Sequence, residues 1–462
     1  MTIFRAYDIR GIYPEQVNPE LARKVGFAFG KILKEIVSKG KIVKKPSVVV
    51  GADARIGAKE AREAVIEGLV SAGVHAIDIG HVPTPLVYFA AVTLDIDAGI
   101  QVTGSHNPKE YLGFKFCGKG AEPIGYEEGI KRIEEFCNSE KEAVPEGEGS
   151  KEERDIAEDY ISFVAGKIKL NKQLSIVIDP GNGIAGSVAK RLFEKLGCKV
   201  DCLHCEPDGN FPNHLANPTE RETLKDLQKR VVEINADLGL AFDGDGDRVG
   251  FVNNRGEVIA ADIIFSLFIE NALKENQGAK IIYDVICSQL IDDVIKKNNG
   301  QPLVSRVGYP FIRKMMKDEG ALLSGETSAH FYFAESFGYD DGLFAGAKFS
   351  EAICNTDFDE FVKSLPVYII SDDTRLFCND DKKFLVMDEI KKYFQKQNAK
   401  MSDLDGIKLF FKDGWGAIRP SNTQPAFVLR WESSNKESFD KMGEFLIGEV
   451  KRFIDKSEGG EK

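Results

Sequence analysis

The feature that most constrains the fold is an alternation of short β-branched strands with helical segments, which recurs three times along the chain. In the first occurrence, predicted strands and helices alternate at 47–50, 58–69, 74–79, 85–94 and 98–102. This βαβαβ order predicts parallel strand pairing with right-handed crossovers. The third strand leads directly into a polar, glycine-containing loop at 103–108.

The second and third occurrences follow the same order. Their predicted strands lie at 174–178, 199–203 and 238–242, and then at 280–285, 302–306 and 321–323. In each, a polar loop follows the third strand, at 243–248 and at 325–330. Open α/β sheets bind ligands at the carboxyl ends of their strands. We therefore expect three similar α/β units, each contributing one loop to a central cleft.

The last part of the chain has a different order. It predicts a helix, two strands and a final helix, at 381–396, 407–411, 426–431 and 437–453. This order lacks a βαβ crossover and indicates a smaller α+β domain. The predicted fold is thus α/β, with three βαβαβ domains on mixed or parallel sheets and one α+β domain around a central cleft. The predicted boundaries are 1–150, 151–254, 255–368 and 369–462, with a polar linker near 145–149.

Charge and composition exclude several classes of protein. The chain has 61 Lys and Arg against 73 Asp and Glu, a net charge of −12, which argues against a nucleic-acid or anionic-membrane binder. No apolar stretch reaches the length of a bilayer span, and charge appears too early at the N-terminus for a signal peptide. We therefore expect a cytoplasmic protein that partners neither nucleic acid nor membrane.

The 8 cysteines show no framework spacing, so we expect them to remain reduced thiols. Cys198, Cys202 and Cys205 lie close together with His204. A metal site is conceivable there, but a second CxxC or a His pair is missing from the sequence around it. The segment reads as a strand, so buried or half-buried thiols are the better interpretation.

The loop at 243–248 places Asp243, Asp245 and Asp247 in alternation with glycine. Three carboxylates so close together repel one another unless a cation lies between them, and hard oxygen ligands suit Mg²⁺ or Ca²⁺. An EF-hand is excluded, because its sixth position would be Arg248 and its twelfth Asn254. A solvated acidic turn is the alternative, although such a run seldom follows an apolar strand.

Two further loops, one around Ser105 and one beginning at Arg419, contain residues that suit phosphate chemistry. Ser105 alone reads as a turn serine, since no GxSxG elbow surrounds it. With Lys115 and a divalent ion, however, its hydroxyl suits phosphoryl transfer. The loop from Arg419 to residue 425 offers donors for a phosphate dianion, with Arg430 in reach, although an ordinary hairpin turn is an equal alternative.

Four loops, at 103–108, 243–248, 325–330 and 419–425, occur in the order and spacing of the α-D-phosphohexomutase family, which the chain resembles over essentially its whole length. Segments 4–11 and 206–214 also match. The resemblance implies a phosphoserine at Ser105, and one Mg²⁺ bound by a phosphoserine oxygen and by Asp243, Asp245 and Asp247. It assigns the substrate to sugar-binding and phosphate-binding side chains, namely Glu326, Ser328, Arg419, Ser421, Asn422 and Thr423.

The remaining positions that match the family's active site are Arg10, Lys115, Arg248 and His330, and His106 beside the serine completes the predicted set. The chain departs from the commoner family pattern in several places, at Gly104, Tyr309, Ala329, Gln424 and the missing first arginine of 51–55. These departures bear on substrate choice more than on reaction type.

The resemblance implies an enzyme that interconverts hexose 1-phosphate and hexose 6-phosphate, of mannose or glucose, through a hexose 1,6-bisphosphate intermediate. Its partners would be small-molecule hexose phosphates, and the sequence leaves the oligomeric state open. Three alternatives remain at this point. The chain could be a phosphoglucosamine mutase, a metal-dependent phosphohydrolase with Asp243 as nucleophile, or a non-catalytic sugar-phosphate or metal-binding protein.

Overall fold

The computed structural model describes residues 2–38, 45–139, 145, 147–421 and 425–458. Four β-sheets, each covered by helices, follow one another along the chain. The first three sheets mix parallel and antiparallel strands, and the last is antiparallel. The predicted fold class is therefore confirmed.

The first sheet has six strands in the order β1-β5-β4-β2-β3-β6. Its strands are Asp8–Ile12 (β1), Ser47–Ala52 (β2), His75–His81 (β3), Ala98–Val102 (β4), Tyr111–Gly118 (β5) and Ser150–Glu153 (β6). Its helices are Pro19–Ser38 (α1), Ala58–Ser71 (α2), Thr84–Thr93 (α3) and Lys131–Cys137 (α4). Strand β2 lies between β3 and β4 and runs parallel to both, whereas β5 is antiparallel to β4 and β1.

The second sheet has the order β11-β10-β9-β7-β8 and the third has the order β13-β12-β14-β15. The second unit comprises Ala157–Ala165 (α5), Ser175–Asp179 (β7), Gly186–Lys195 (α6), Lys199–Cys202 (β8), Lys225–Glu233 (α7), Leu238–Phe242 (β9), Val249–Asn253 (β10) and Val258–Ile259 (β11). The third comprises Ala261–Glu275 (α8), Lys280–Asp284 (β12), Gln289–Lys297 (α9), Gln301–Ser305 (β13), Tyr309–Glu319 (α10), Leu323–Gly325 (β14), Phe331–Phe333 (β15), Gly342–Asn355 (α11) and Phe358–Lys363 (α12).

One arrangement is common to the three units. The first strand of each βαβαβ run is central, with the second and third strands parallel to it on either side. An antiparallel strand then pairs with the third one, as β5, β10 and β15 do. The three polar loops connect these antiparallel pairs, so each loop lies at the carboxyl end of a parallel strand, as predicted. The antiparallel strands themselves were not predicted from the sequence.

The C-terminal sheet carries two long helices. Its elements are Ile369–Ile370 (β16), Thr374–Phe377 (β17), Asp380–Lys396 (α13), Met401–Ser402 (β18), Ile407–Phe410 (β19), Gly414–Pro420 (β20), Ala426–Ser433 (β21) and Lys436–Glu458 (α14). Arg419 was predicted to lie in a turn but belongs to strand β20, and Arg430 lies on the neighbouring strand β21. Residues 422–424, between these strands, lie outside the described residues.

Helix α3 shows how the first unit joins its neighbours. Between its two terminal threonines the helix is apolar on all faces and almost entirely buried, because it packs in one hydrophobic core with the second and third units. Phe89 of α3 meets Tyr160 of α5 with ring centroids 5.6 Å apart. The C-terminal unit has a core of its own. Within the described ranges, no helix is long and apolar enough to cross a membrane.

Two expectations are corrected by the structure. The polar connection after residue 138 ends in strand β6, which pairs with β3, so residues 150–153 form an edge of the first sheet. All four β6 residues are exposed, which is why the sequence resembles a solvated linker. In addition, Cys202 and Cys205 form a disulfide instead of remaining thiols. The chain turns back at His204, whose φ is 48°, and this brings the two Cα atoms to 5.8 Å.

Candidate active site

Ser105 occupies a strained position at the end of strand β4. Its φ is 51°, in the left-handed region that non-glycine residues rarely adopt, and only 2% of the residue is exposed. The backbone N–H of Ser105 donates to Thr103 Oγ1 at 2.7 Å, and that hydroxyl donates in turn to Asp53 Oδ2 at 2.7 Å. These hydrogen bonds fix the direction in which the serine side chain leaves the loop.

Arg55 holds the same loop from the carboxyl end of strand β2. Its guanidinium donates to backbone carbonyls of the loop, those of Ser105 at 2.6 Å, Asn107 at 2.5 Å, Pro108 at 2.6 Å and Tyr111 at 3.1 Å. Arg55 is buried and its Nε lies 3.3 Å from Asp53 Oδ2. Neither Arg55 nor Asp53 was among the residues predicted for the site. Their position after a parallel strand was the one signal that could have identified them.

The three aspartates of the 243–248 loop are fully buried, and their candidate ligand atoms all lie within 4.8 Å of one another. The hydroxyl of Ser105 donates to Asp243 Oδ2 at 3.0 Å. Burial, Asp247 and Asp245 together raise the pKa of Asp243 well above its usual value. Asp245 Oδ1 is buried without a hydrogen-bond partner among the described residues. This donor set fits a divalent cation with oxygen ligands.

Lys115 supplies positive charge to the cluster from strand β5. Its Nζ donates to Asp245 Oδ2 at 2.8 Å and to Asp247 Oδ2 at 2.5 Å. Burial alone would lower the pKa of Lys115, but these two carboxylates outweigh it and raise the pKa well above its usual value. Thr84, at the start of helix α3, donates to the same Asp245 oxygen at 2.5 Å. The serine loop of the first unit and the aspartate loop of the second are therefore directly joined.

The third unit approaches this cluster through His330. The His330 Nε2 atom lies 3.3 Å from Asp247 Oδ1 and 3.2 Å from Arg248 Nε, and its Nδ1 lies 3.2 Å from Glu326 Oε2. Burial and Arg248 lower the pKa of His330, but Asp247 and Glu326 outweigh them and raise it to about 10. The imidazole thus lies between the carboxylates of Asp247 and Glu326, with Arg248 Nε donating to its Nε2.

Glu326 of the 325–330 loop is held by hydrogen bonds at both carboxylate oxygens. Its Oε1 accepts from the Gly308 N–H at 2.9 Å, and its Oε2 accepts from the Tyr332 hydroxyl at 2.5 Å. Ser328 Oγ lies 3.0 Å from His330 Nδ1. The hydroxyl of Tyr309 donates to the Tyr7 carbonyl at 3.0 Å, which joins the third unit to the N-terminal segment.

Arg10 and His106 lie on the first unit's side of the site. Arg10, on strand β1, pairs with Asp8 Oδ2 at 2.5 Å. His106 Nδ1 lies 3.2 Å from Ser105 Oγ. Burial, followed by the charges of Arg248 and Arg10, lowers the pKa of His106 well below its usual value, so this histidine is neutral at neutral pH.

The C-terminal residues form a second group, separate from the serine cluster in its direct contacts within the described part of the chain. Arg419 donates to Asp405 Oδ2 through Nε at 2.9 Å, and its Nη2 lies 2.8 Å from the same oxygen. That oxygen also accepts from the Val307 N–H at 3.0 Å, so the pair joins the C-terminal unit to the third. Arg430 lies 3.7 Å from Asp262 Oδ2 of helix α8.

The predicted phosphate-binding loop is only partly described. The Ser421 N–H donates to the Ala426 carbonyl at 2.8 Å, and the Ser421 carbonyl accepts from Lys383 Nζ at 2.5 Å. Asn422 and Thr423, and the departure at Gln424, lie outside the described residues. The structure thus joins Ser105, the aspartates and the predicted residues of the third unit in one contact network, and places Arg419 in an ion pair beside the third unit.

Comparison with known proteins finds family models and relatives that match nearly the whole chain. Four family models for phosphoglucomutase/phosphomannomutase match it, alpha/beta/alpha domains I, II and III at residues 1–144, 158–256 and 260–368 and the C-terminal domain at 375–447. A phosphomannomutase/phosphoglucomutase of Pseudomonas aeruginosa is 39% identical over 453 residues, which cover 97% of this chain and 96% of that protein. A phosphoglucomutase of Neisseria gonorrhoeae is 36% identical over 95% of both chains.

A crystal structure of a phosphoglucomutase/phosphomannomutase family protein from Burkholderia thailandensis superposes with a TM-score of 0.88 at 34% identity, covering 100% of this chain and 99% of that one. Fold and sequence therefore agree over essentially the whole chain. The resemblance found in the sequence is confirmed, and the chain belongs to the phosphoglucomutase/phosphomannomutase family.

Proposed function

We propose that the chain is a phosphohexomutase, which interconverts the 1-phosphate and 6-phosphate of mannose, glucose or both through a phosphoserine at Ser105. The observation that carries this proposal is the hydrogen bond of 3.0 Å from Ser105 Oγ to Asp243 Oδ2, which puts a strained, buried serine beside three carboxylates. The family to which the chain belongs and the names of its relatives support the same reaction.

One Mg²⁺ completes this site in the proposal. Asp243, Asp245 and Asp247 would hold it together with a phosphoserine oxygen on Ser105, and the unsatisfied Asp245 Oδ1 supports that assignment. The ion supplies electrostatic stabilisation of a transferring phosphoryl group when it is bound. Lys115 adds a fixed positive charge next to the same carboxylates. Its hydrogen bonds connect the first unit, to which it belongs, with the second.

In the first half-reaction, a sugar hydroxyl oxygen bonds to the phosphorus of phosphoserine 105 while the bond from phosphorus to Ser105 Oγ breaks. The proton of the sugar hydroxyl is lost, Ser105 Oγ gains one, and the product is a hexose 1,6-bisphosphate. The second half-reaction is the reverse transfer from the other end of the turned-over sugar, which restores the phosphoserine. Protein groups held in place before the reaction, such as the Ser105 loop clamped by Arg55, avoid a cost of reorganisation.

The sugar and the second phosphate are bound by other units in this proposal. Glu326 would accept hydrogen bonds from sugar hydroxyls, and Ser328 would accept or donate them, in either orientation, with His330 and Arg248 as neighbouring side chains. The phosphate that is not transferred would bind the side chains of Arg419, Ser421, Asn422, Thr423 and Arg430, and Arg10 and His106 would line the serine's side. Arg419 is paired with Asp405, so the incoming phosphate would either bind Arg419 together with Asp405 or displace Asp405 from it. The four units would then correspond to the divisions predicted near residues 150, 254 and 368.

The proposal is tested by measuring two products with each of three substrates. Purified protein with Mg²⁺ and a trace of glucose 1,6-bisphosphate is given glucose 1-phosphate, mannose 1-phosphate or glucosamine 1-phosphate, and the 6-phosphate and inorganic phosphate are measured. We expect fast 6-phosphate formation from the glucose or mannose ester and almost no inorganic phosphate. Stoichiometric release of inorganic phosphate would instead indicate a phosphohydrolase, and preference for glucosamine 1-phosphate would indicate the other mutase.

A further inference from the structure

A second group of metal-ligand side chains lies in the second unit and shares no residue with the aspartate loop. Asp179, His204 and His214 each offer a ligand atom, and the three atoms lie within 4.8 Å of one another. Asp179 ends strand β7, and His204 follows the neighbouring parallel strand β8, so the sheet brings their segments together at one edge. His214 comes from the long loop after β8.

The two histidines are prepared as ligands in different ways. His214 Nδ1 lies 3.0 Å from the Leu215 carbonyl and donates to it, and its Nε2 pairs with Asp179 Oδ2 at 3.1 Å. An ion bound between Nε2 and Asp179 would replace the Nε2 proton. Metal-bound histidines characteristically use the second ring nitrogen for such a backbone hydrogen bond. His204 Nε2 is buried and makes no hydrogen bond among the described residues, and Asp226 Oδ2 lies 3.5 Å from it. A buried ring nitrogen without a hydrogen bond costs free energy, which a bound ion would offset.

The backbone around these ligands is constrained. His204 has a φ of 48°, and the Cys202–Cys205 disulfide brackets it in the sequence. The His204 carbonyl accepts from the Asn182 N–H at 2.8 Å. A Cβ on Gly181 would lie 2.9 Å from the His214 ring, so glycine at this position permits the histidine to approach β7. Asp179 Oδ1 accepts from the Gly181 N–H at 2.9 Å, which orients the carboxylate.

We propose that Asp179, His204 and His214 form a second metal site, which binds Zn²⁺ or a similar first-row divalent ion. Two imidazole nitrogens and one carboxylate oxygen suit Zn²⁺, which takes N and O ligands in a four-coordinate site, with water as the fourth ligand. Mg²⁺ prefers oxygen ligands and would not compete well here. The histidines are partly exposed, at 20% and 16% of their side chains, so an ion can enter from solvent.

A bound ion would fasten the loop after β8 to strand β7. Between His204 and His214, this loop packs against the first unit. Gly209 forms an isolated β-bridge with Arg55, and the Phe211 ring lies 5.0 Å from the Arg55 guanidinium carbon. Arg55 in turn clamps the Ser105 loop. The second site therefore stabilises the interface that supports the serine loop, and none of its ligands takes part in the proposed reaction.

The test is Co²⁺ titration of the full-length, tag-free protein in non-reducing buffer with Mg²⁺ in large excess, so that the aspartate loop is occupied. We expect one equivalent of Co²⁺ to produce the visible absorption of a tetrahedral N,O site, which Zn²⁺ then abolishes by replacing it. His204→Asn tolerates the left-handed backbone and should weaken Co²⁺ binding at least 100-fold. His75→Asn changes a histidine of strand β3 and should bind as the wild type does.

Two further variants separate this site from the aspartate loop. Asp245→Asn should keep the Co²⁺ spectrum, whereas His214→Gln should lose it, and Zn²⁺ should raise the melting temperature of Asp245→Asn but not of His214→Gln. Circular dichroism establishes that each variant is folded. Unchanged Co²⁺ binding in both folded histidine variants, or loss of the spectrum in Asp245→Asn alone, would overturn the proposal.

Discussion

The Arg55 guanidinium donates to the Ser105 carbonyl at 2.6 Å, from a position fifty residues earlier in the chain. The same guanidinium binds three other carbonyls of that loop, so one buried side chain holds the strained backbone around the serine. Positioning of a reacting group within a fraction of an ångström has large effects on rate. Arg55 therefore acts as a positioning residue for Ser105.

We expect Arg55→Lys to lower kcat by about 100-fold with a smaller change in KM, because an ammonium group cannot bind all four carbonyls at once. The matched control is Arg62→Lys, since Arg62 is also a buried arginine of the first unit and lies 3.1 Å from Asp78 Oδ1, away from the serine loop. Steady-state kinetics and melting temperatures of both variants are compared. Equal loss of kcat in the two variants would mean that Arg55 contributes only to folding.

The aspartate loop should make activity depend on a divalent ion. EDTA is expected to abolish turnover and Mg²⁺ to restore it, since three buried carboxylates repel one another without a cation. Asp245→Asn should weaken Mg²⁺ activation at least tenfold while the protein remains folded. Asp201→Asn, which changes an aspartate paired with Arg230 in the same unit, is the control. Full activity of Asp245→Asn in metal-free buffer would exclude this role for the loop.

Arg419 should contribute to substrate affinity in both directions of the reaction. Arg419→Ala removes a charge-assisted contact to phosphate, which is worth about 2 kcal/mol or more when desolvated, so KM should rise about 30-fold or more for the 1-phosphate and the 6-phosphate alike. Arg375→Ala removes an exposed charge from the same unit and should leave KM unchanged. A normal KM in Arg419→Ala would show that the phosphate binds elsewhere.

Asp341 should make stability depend on pH. It accepts from the Tyr160 hydroxyl at 2.8 Å and from the Phe344 N–H at 2.9 Å, and burial raises its pKa from 3.8 to about 7. The folded protein therefore keeps a proton that the unfolded chain releases, and the free energy of unfolding contributed by Asp341 falls as pH rises from about 4 to about 7.

Urea unfolding at several pH values measures this effect. Asp341→Asn should give a flatter dependence on pH over the same range, because an amide does not titrate. Asp357→Asn, at an exposed helix cap, controls for the loss of a capping carboxylate. Identical pH profiles for the wild type and Asp341→Asn would disprove the assignment.

The parts of this fold that could be predicted are those with local signals. Apolar runs such as β9 and the polar loops after them are contiguous in sequence, so the three units and their loop positions follow from pattern alone. Strand β5 has an alternating pattern, with Leu112, Phe114 and Phe116 buried, but its antiparallel pairing with β4 and β1 has no local signal. A Cβ at Gly113 would clash with the Ile9 carbonyl, so glycine permits the close approach of β1.

The contacts that complete the site depend on residues far apart in the chain. Nothing near Arg419 in the sequence indicates that Asp405 pairs with it. The position of Arg55 after a parallel strand suggests the site, but it does not indicate that Arg55 binds the carbonyls of the Ser105 loop. The disulfide is a similar case, because the turn at His204 that joins Cys202 to Cys205 depends on a backbone conformation that sequence patterns do not predict. Asp179 and His214 are joined to His204 by the same folding of the loop.

The central claim is that Ser105 carries the phosphoryl group. The direct measurement is to incubate the wild type and Ser105→Ala with hexose 1,6-bisphosphate carrying a radiolabelled phosphate, and to locate the label by peptide mapping. We predict label on the peptide containing Ser105 in the wild type, and neither label nor mutase activity in a folded Ser105→Ala protein. An active wild type without label on this peptide, or a Ser105→Ala protein that retains turnover, would contradict the account.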